Sequence, residues 1–106
     1  MKPNRNDSPR LQARAEDALY RALISLETVE ECRNFLRDLC TPAELQALVD
    51  RWHVVELLRE DLPYRKINQL TGVSVTTIGR VARFLHEGFG GYAVALERTC
   101  LLYTSP

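Results

Sequence analysis

Residues that could contact a polyanion are concentrated between positions 62 and 86. This segment contains four basic residues and no acidic one, a formal charge of +4, whereas the remaining chain has ten basic and fourteen acidic residues, a charge of −4. Hydroxyl side chains and a glycine stand among the basic residues. Basic and hydroxyl side chains form hydrogen bonds with phosphate oxygens and base edges. The candidate contact residues are Arg65, Lys66, Ser74, Thr76, Thr77, Gly79, Arg80 and Arg83.

This charge pattern indicates a face directed at nucleic acid. A positive segment set in a negative body can attract phosphate on one side and repel it elsewhere. The alternative is a solvated helix face on which the charges are segregated by chance.

The remaining reactive side chains do not indicate catalysis or metal binding. Cys32, Cys40 and Cys100 are odd in number and form no Cys-x-x-Cys pair, which favours free thiols over disulfides or a zinc site. His53 and His86 are isolated from any partner set that a triad or a metal would need. We therefore expect no enzyme activity, no metal and no cofactor.

The elements that position the basic segment are predicted to be two short helices joined by a glycine turn. Pro63 interrupts a long helix, so residues 64–70 are predicted to form a new one. Gly72 can adopt the left-handed conformation of a tight helix exit, and Ser74 is a suitable N-cap for a helix over residues 75–85.

This pattern predicts a helix-turn-helix spanning about residues 64–86. The outward side chains would be Thr76, Thr77, Arg80 and Arg83. The apolar residues that would pack the two helices together are Ile67, Leu70, Val73, Ile78, Val81 and Leu85.

The rest of the chain is also predicted to be helical. Apolar residues at helical spacing indicate helices over residues 11–26, 29–40, 42–60 and 92–100. Thr28 and Glu31 have the spacing of a capping box at the start of the second helix. The sequence thus predicts an all-α fold. The predicted domains are a flexible N-terminal arm (1–10), a helical DNA-binding and dimerisation domain (11–100) and a tail without assigned function (101–106).

Size and hydropathy limit the class of protein further. A chain of 106 residues buries only about two thirds of its unfolded surface, so helices with outward apolar faces would gain by dimerising. No apolar run approaches the roughly 20 residues that cross a bilayer, and the polar start does not resemble a signal peptide. We expect a cytoplasmic protein without a membrane partner.

Several motifs follow one another between positions 41 and 92. They are Thr41-Pro42-Ala43-Glu44 with Leu48 and Arg51, Val55-Glu56-Leu57-Leu58, Tyr64-Arg65-Lys66-Ile67, Thr71-Gly72-Val73-Ser74, Thr77-Ile78-Gly79-Arg80-Val81 and Gly88-Phe89-Gly90-Gly91-Tyr92. Together they resemble the Trp-repressor-like family, and most closely its YerC/YecD branch, over roughly residues 19–97. The resemblance implies six helices, an intertwined homodimer with interlocking N-terminal helices, and two recognition helices presented to successive major grooves.

The same resemblance bears on the ligand of the tryptophan repressors. It places Arg51 and Arg80 where two arginines hold the indole, so these two are the candidate ligand-binding residues. A serine that meets the ligand amino group is replaced by Phe84, and a glycine that leaves space for the indole is replaced by Val81. Val81 would fill the space that the indole needs, and Phe84 cannot accept a hydrogen bond from the amino group. Both replacements argue against tryptophan as corepressor. No other small-molecule effector is indicated.

Two functions are compatible with these observations. The first is a homodimeric transcriptional regulator, a repressor, that binds double-stranded DNA sequence-specifically in the major groove. The second is a protein-interaction module that uses the same helical hairpin, with Tyr64 and Phe84 as its only candidate anchors. Basic residues among hydroxyls favour the first, because protein-docking surfaces more often show exposed aromatic or aliphatic anchors.

Overall fold

The computed structural model describes the backbone of residues 8–104 and the side chains of residues 8–99. Residues 8–104 form six α-helices and no strand, which confirms the predicted all-α class. The helices are α1 (Pro9–Ser25), α2 (Val29–Leu39), α3 (Pro42–Arg59), α4 (Tyr64–Thr71), α5 (Val75–Glu87) and α6 (Gly91–Thr104).

Both ends of the helical region extend beyond the predicted bounds. Helix α1 begins at Pro9 instead of about residue 11, because the Ser8 side chain accepts a hydrogen bond from the Leu11 amide at 3.2 Å and Pro9 occupies the first helical position. Helix α6 continues to Thr104, within the predicted tail of residues 101–106. Most of the predicted N-terminal arm (residues 1–7) and the side chain of Cys100 lie outside the described residues.

The chain divides into two compact units, of which α1 and α2 form the first. The start of α2 is fixed by two reciprocal bonds: the Thr28 hydroxyl accepts from the Glu31 amide at 3.0 Å, and the Glu31 carboxylate accepts from the Glu27 amide at 2.8 Å. The predicted capping pair is therefore present. The carboxylate reaches one residue further back than in the usual capping box, where it bonds the N-cap amide.

The first unit has no buried residue in either of its helices. Apolar side chains that belong to the predicted helix faces remain exposed, including Leu11 at 53% and Leu39 at 53%. The apolar faces of α1 and α2 are thus not fully covered within this chain.

Helices α3 to α6 form the second unit, and its core lies where α3, α4 and α5 pack against one another. Helix α6 adds Leu96, and its Tyr92 ring lies 6.4 Å from that of Trp52, measured between centroids. The side chains with less than 2% exposure are Val54, Val55, Ile67, Ile78 and Val81.

The predicted packing set between α4 and α5 is correct apart from one residue. Ile67, Val73, Ile78 and Val81 are buried, and Leu85 is partly buried against the same core. Leu70 is 54% exposed. It was predicted to be inside, but the eight-residue α4 buries only the position of Ile67 against its neighbours.

Helix α3 ends before Pro63, the residue at which the sequence predicted the break between α3 and α4. Helix α3 ends at Arg59, and Asp61 has a left-handed φ of 60°. Pro63 then precedes the first residue of α4 and occupies its N-cap position. Among the described residues, no helix combines the length and the apolar character needed to span a membrane.

Candidate nucleic-acid interface

The turn between α4 and α5 is held by side-chain and backbone hydrogen bonds. Gly72 is left-handed with a φ of 76°, and its amide donates to the Asn68 carbonyl at 2.8 Å. The Asn68 side-chain amide donates to the Val73 carbonyl at 2.8 Å, and the Val73 amide donates to the Thr71 hydroxyl at 3.0 Å. These bonds tie the turn to the end of α4, so local contacts help to set the direction in which α5 leaves.

The N-terminus of α5 is capped by Ser74, as predicted. The Ser74 hydroxyl accepts from the Thr77 amide at 3.2 Å and also donates to the Thr77 hydroxyl at 3.1 Å. Ser74 and Thr77, two of the three hydroxyl residues predicted to contact nucleic acid, therefore also stabilise the N-terminus of α5. No acidic residue stands in the first turn of α5, so its exposed backbone amides form an end suited to an anion.

The outer face of α5 forms a shallow groove of about 620 Å³, which we call the α5 groove. Four of the predicted contact residues meet there. Phe84 and Glu87 were not among the predicted contacts, and Glu87 brings a carboxylate to the C-terminal end of the groove. The lining residues are Thr76, Gly79, Arg80, Arg83, Phe84 and Glu87.

Arg80 is in contact with an aromatic ring within this groove. The central carbon of its guanidinium lies 5.5 Å from the centroid of the Phe84 ring, within the range of a cation–π interaction. The two residues are four positions apart on one helix, a spacing that places side chains on the same face. The i, i+4 spacing of Arg80 and Phe84 is the sequence signal that could have indicated this contact. The sequence analysis predicted Arg80 as a contact residue but did not predict its pairing with Phe84.

Glycine at position 79 is not required by the packing of this chain. A Cβ atom built there would have Tyr64 Cε2 as its nearest neighbour at 3.9 Å, an ordinary van der Waals distance. The side of α5 at Gly79 is otherwise open, so a bound molecule could approach the backbone closely at this point.

Arg65 and Lys66 lie in the first turn of α4 and are both exposed. They do not line the α5 groove. The predicted contact residues are therefore divided between a set on the outer face of α5 and a basic pair on the adjacent helix α4.

Of the two arginines at the family's ligand positions, only Arg80 lines the α5 groove. Arg51 is exposed on α3 and does not line the groove that contains Arg80. Val81 is 1% exposed and belongs to the core, so the space that a glycine would leave is filled.

Other reactive side chains are dispersed. Within the described part of the chain, no three His, Cys, Asp or Glu side chains are grouped as metal ligands would be. Cys32 is exposed and Cys40 half-buried, both as free thiols.

These features define an all-α protein whose basic helix α5 leaves a glycine turn with its outer face open. The sequence model of the family described as Trp repressor protein matches residues 15–100. The chain belongs to the Trp repressor family, and this confirms the resemblance inferred from its motifs. The family comprises regulators rather than enzymes.

Known relatives match over most of the chain. The Bacillus subtilis protein YerC is 43% identical over 89 residues, which cover 84% of this chain and 86% of YerC. A solved Trp-repressor-like protein from Eubacterium eligens has a TM-score of 0.79 at 37% identity and covers 87% of this chain and 95% of its own. A candidate Trp repressor from Staphylococcus aureus has a TM-score of 0.76 at 40% identity, covering 80% and 85% respectively.

Proposed function

We propose that this protein is a homodimeric transcriptional regulator, a repressor, that binds double-stranded DNA sequence-specifically. The observation that carries the proposal is the open outer face of α5, where Thr76, Arg80 and Arg83 surround Gly79. The opposite face of the same helix is anchored in the core through Ile78 and Val81. A helix held in this way can enter a major groove without losing its own packing.

The contact residues have different roles in this proposal. Thr76, Arg80 and Arg83 approach bases and phosphates from α5, and Gly79 allows close approach. Arg65 and Lys66 contact the phosphate backbone from α4. Ser74 and Thr77 hold the N-terminus of α5 in a form whose amides can meet a phosphate.

The dimer is supported by the first unit of the chain. Neither α1 nor α2 has a buried residue, and leucines of their predicted apolar faces remain exposed. Exposed apolar side chains on one helix face favour association, and a second copy presents the same face. Two recognition helices would then bind half-sites about one helical turn, or roughly 10 bp, apart.

We propose that tryptophan is not the corepressor. Val81 fills space within the core, and Phe84 stands where a hydroxyl would be needed, in contact with Arg80. An amino group buried beside Phe84 would lack its acceptor, which costs about 1–3 kcal/mol.

The protein-interaction module is the weaker candidate. Its two predicted anchors, Tyr64 and Phe84, are 41% and 42% exposed. Phe84 is also engaged within the chain by the Arg80 guanidinium.

Selection of bound duplexes from a random DNA pool, with and without tryptophan, tests the proposal. We expect an inverted repeat to be enriched equally in both conditions. Enrichment that requires tryptophan would contradict the argument from Val81 and Phe84. No enrichment in either condition would contradict DNA recognition and favour the protein-interaction module.

A further inference from the structure

The contact with Phe84 distinguishes Arg80 from the other arginine of the α5 groove. The Arg80 guanidinium lies over the Phe84 ring at 5.5 Å. Arg83 lines the same groove but makes no ring contact and no ion pair with any residue of the described chain. The guanidinium groups of these two arginines therefore differ in their restraint: that of Arg80 packs on an aromatic ring, and that of Arg83 does not.

Helix geometry explains why Phe84 is the residue that holds Arg80. Side chains of a helix lean toward its N-terminus, so an aromatic side chain lies over the residue four positions earlier. Phe84 is 42% exposed with the guanidinium in place over its ring, so this contact leaves part of the side chain open to solvent. The ring can thus restrain Arg80 without removing it from the surface.

The two ways in which arginine contacts DNA make different demands on orientation. Reading a guanine requires two coplanar hydrogen bonds to O6 and N7, so the plane of the guanidinium must be set. A phosphate contact tolerates many orientations, because it depends mainly on charge. A guanidinium restrained beforehand loses less side-chain entropy when it forms the bidentate contact.

We infer that Phe84 is a positioning residue that orients Arg80 to read a guanine in the major groove, whereas Arg83 contacts phosphate without such support. The inference rests on the proposed function and assigns separate tasks to the two arginines of the α5 groove. Phe84 itself need not touch DNA for this role.

The experiment first identifies the base pair that Arg80 reads. Duplexes are selected with the wild-type protein and with Arg80→Ala, and we expect the variant to lose a guanine preference at one position in each half-site. A bidentate pair of this kind discriminates about five- to 150-fold per half-site. Binding to the selected operator and to a duplex with that guanine replaced then gives the discrimination of each variant.

Phe84→Leu removes the ring and keeps an apolar helix former. We expect it to reduce the discrimination at the Arg80 position by about two- to fivefold per half-site, the effect of an exposed cation–π contact. The salt dependence of binding should not change, since no phosphate contact is lost. Phe84→Tyr keeps the ring and should restore wild-type discrimination.

Phe89→Leu is the matched control. Phe89 is fully exposed and its ring does not lie under the Arg80 guanidinium, so the same substitution there should leave discrimination unchanged. Circular dichroism and thermal unfolding of each variant show whether it is folded.

The outcomes separate this inference from the proposed function. If the wild-type protein enriches an operator and Phe84→Leu retains full discrimination, or loses affinity equally for both duplexes, the positioning role is wrong and the DNA-binding function stands. If the wild-type protein enriches no sequence, both are wrong. Loss of discrimination in Phe84→Leu with recovery in Phe84→Tyr supports the inference.

Discussion

At Gly79, the requirements of folding can be separated from those of the proposed DNA contact. The nearest neighbour of a Cβ atom at this position would be Tyr64, at an ordinary 3.9 Å. Glycine inside a helix costs about 1 kcal/mol relative to alanine. A residue that weakens the helix without a packing reason is consistent with a requirement imposed by a bound molecule.

We therefore expect Gly79→Ala to raise the free energy of unfolding by about 1 kcal/mol and to weaken operator binding. The added methyl group favours the helix but occupies the surface where DNA would approach. Chemical denaturation measures the first effect, and titration of the selected duplex measures the second. A variant that is more stable and binds with wild-type affinity would show that DNA does not approach the backbone at Gly79.

Arg83 is expected to act through its charge. Arg83→Ala should flatten the dependence of the logarithm of affinity on the logarithm of salt concentration by about two for a dimer, because each copy loses one phosphate contact. The thermal stability should be unchanged, since Arg83 is exposed.

Arg33→Ala on α2 provides the control for this change in charge. Arg33 forms an exposed ion pair with Glu30 at 2.9 Å and is not among the proposed DNA contacts. Equal salt slopes for Arg83→Ala and the wild-type protein would exclude a phosphate contact by Arg83.

At the scale of elements, local sequence signals account for most helix boundaries. Ser74 and Gly72 are each the residue type that their backbone position needs, and the structure uses both as predicted. The same logic applied to Ser8 and Pro9 would have placed the start of α1 correctly, but the apolar periodicity on which the prediction relied begins only at Leu11.

Contacts that depend on a side-chain conformation or on helix packing could not be predicted from the sequence as well as the helix boundaries. Leu70 has helical spacing from Ile67, but whether a helix face is covered depends on its neighbours, and α4 buries only Ile67. Arg80 was predicted as a contact residue, whereas its pairing with Phe84 was one of several conformations open to a long side chain. The periodicity of a helix predicts the face on which a side chain lies, but it does not determine which residue that side chain contacts.

The turn between α4 and α5 allows a direct test of the backbone argument. Gly72→Ala should lower the free energy of unfolding by about 1–2 kcal/mol, because a Cβ atom disfavours the left-handed φ of 76°. No atom lies within 4 Å of that Cβ position, so the cost comes from the conformation and not from a clash.

Gly91→Ala is the matched substitution. Gly91 also has open space around its Cβ position, but its φ is not in the left-handed region, and it is the first residue of α6. Thermal or chemical denaturation should show this variant to be at least as stable as the wild-type protein. Equal destabilisation of the two variants would mean that the conformation of Gly72 is not the cause.

For the whole molecule, the decisive feature is the first unit, whose helices α1 and α2 contain no buried residue. Periodicity predicted the apolar faces, and the family resemblance implied the partner that would cover them. The sequence alone could not show how much of each face the chain itself covers, because this depends on the tertiary contacts of both helices.

Leu11→Glu is expected to disrupt the proposed dimer. Leu11 is 53% exposed on the predicted apolar face of α1, and burial of a leucine contributes about 1.5–3 kcal/mol. Two leucines are lost per dimer, so the dissociation constant should rise at least about a hundredfold. Sedimentation equilibrium over a range of protein concentrations measures this change.

Ile24→Glu introduces the same charged side chain outside the predicted apolar face. Ile24 is 83% exposed on α1, at a helical position on the side away from Leu11. We expect this variant to remain dimeric. A dimer unaffected by Leu11→Glu would exclude the α1 face from the interface.

In the proposed dimer, the partly exposed faces of α1 and α2 would also link regulation to protein dosage in the cell. If only the dimer is fully folded and binds DNA, dilution lowers both the thermal midpoint and the fraction of competent protein. Below the dissociation constant of the dimer, operator occupancy then rises roughly with the square of the cellular amount of the chain. A modest change in synthesis or degradation would thus switch the regulated gene more sharply than a monomeric binder could.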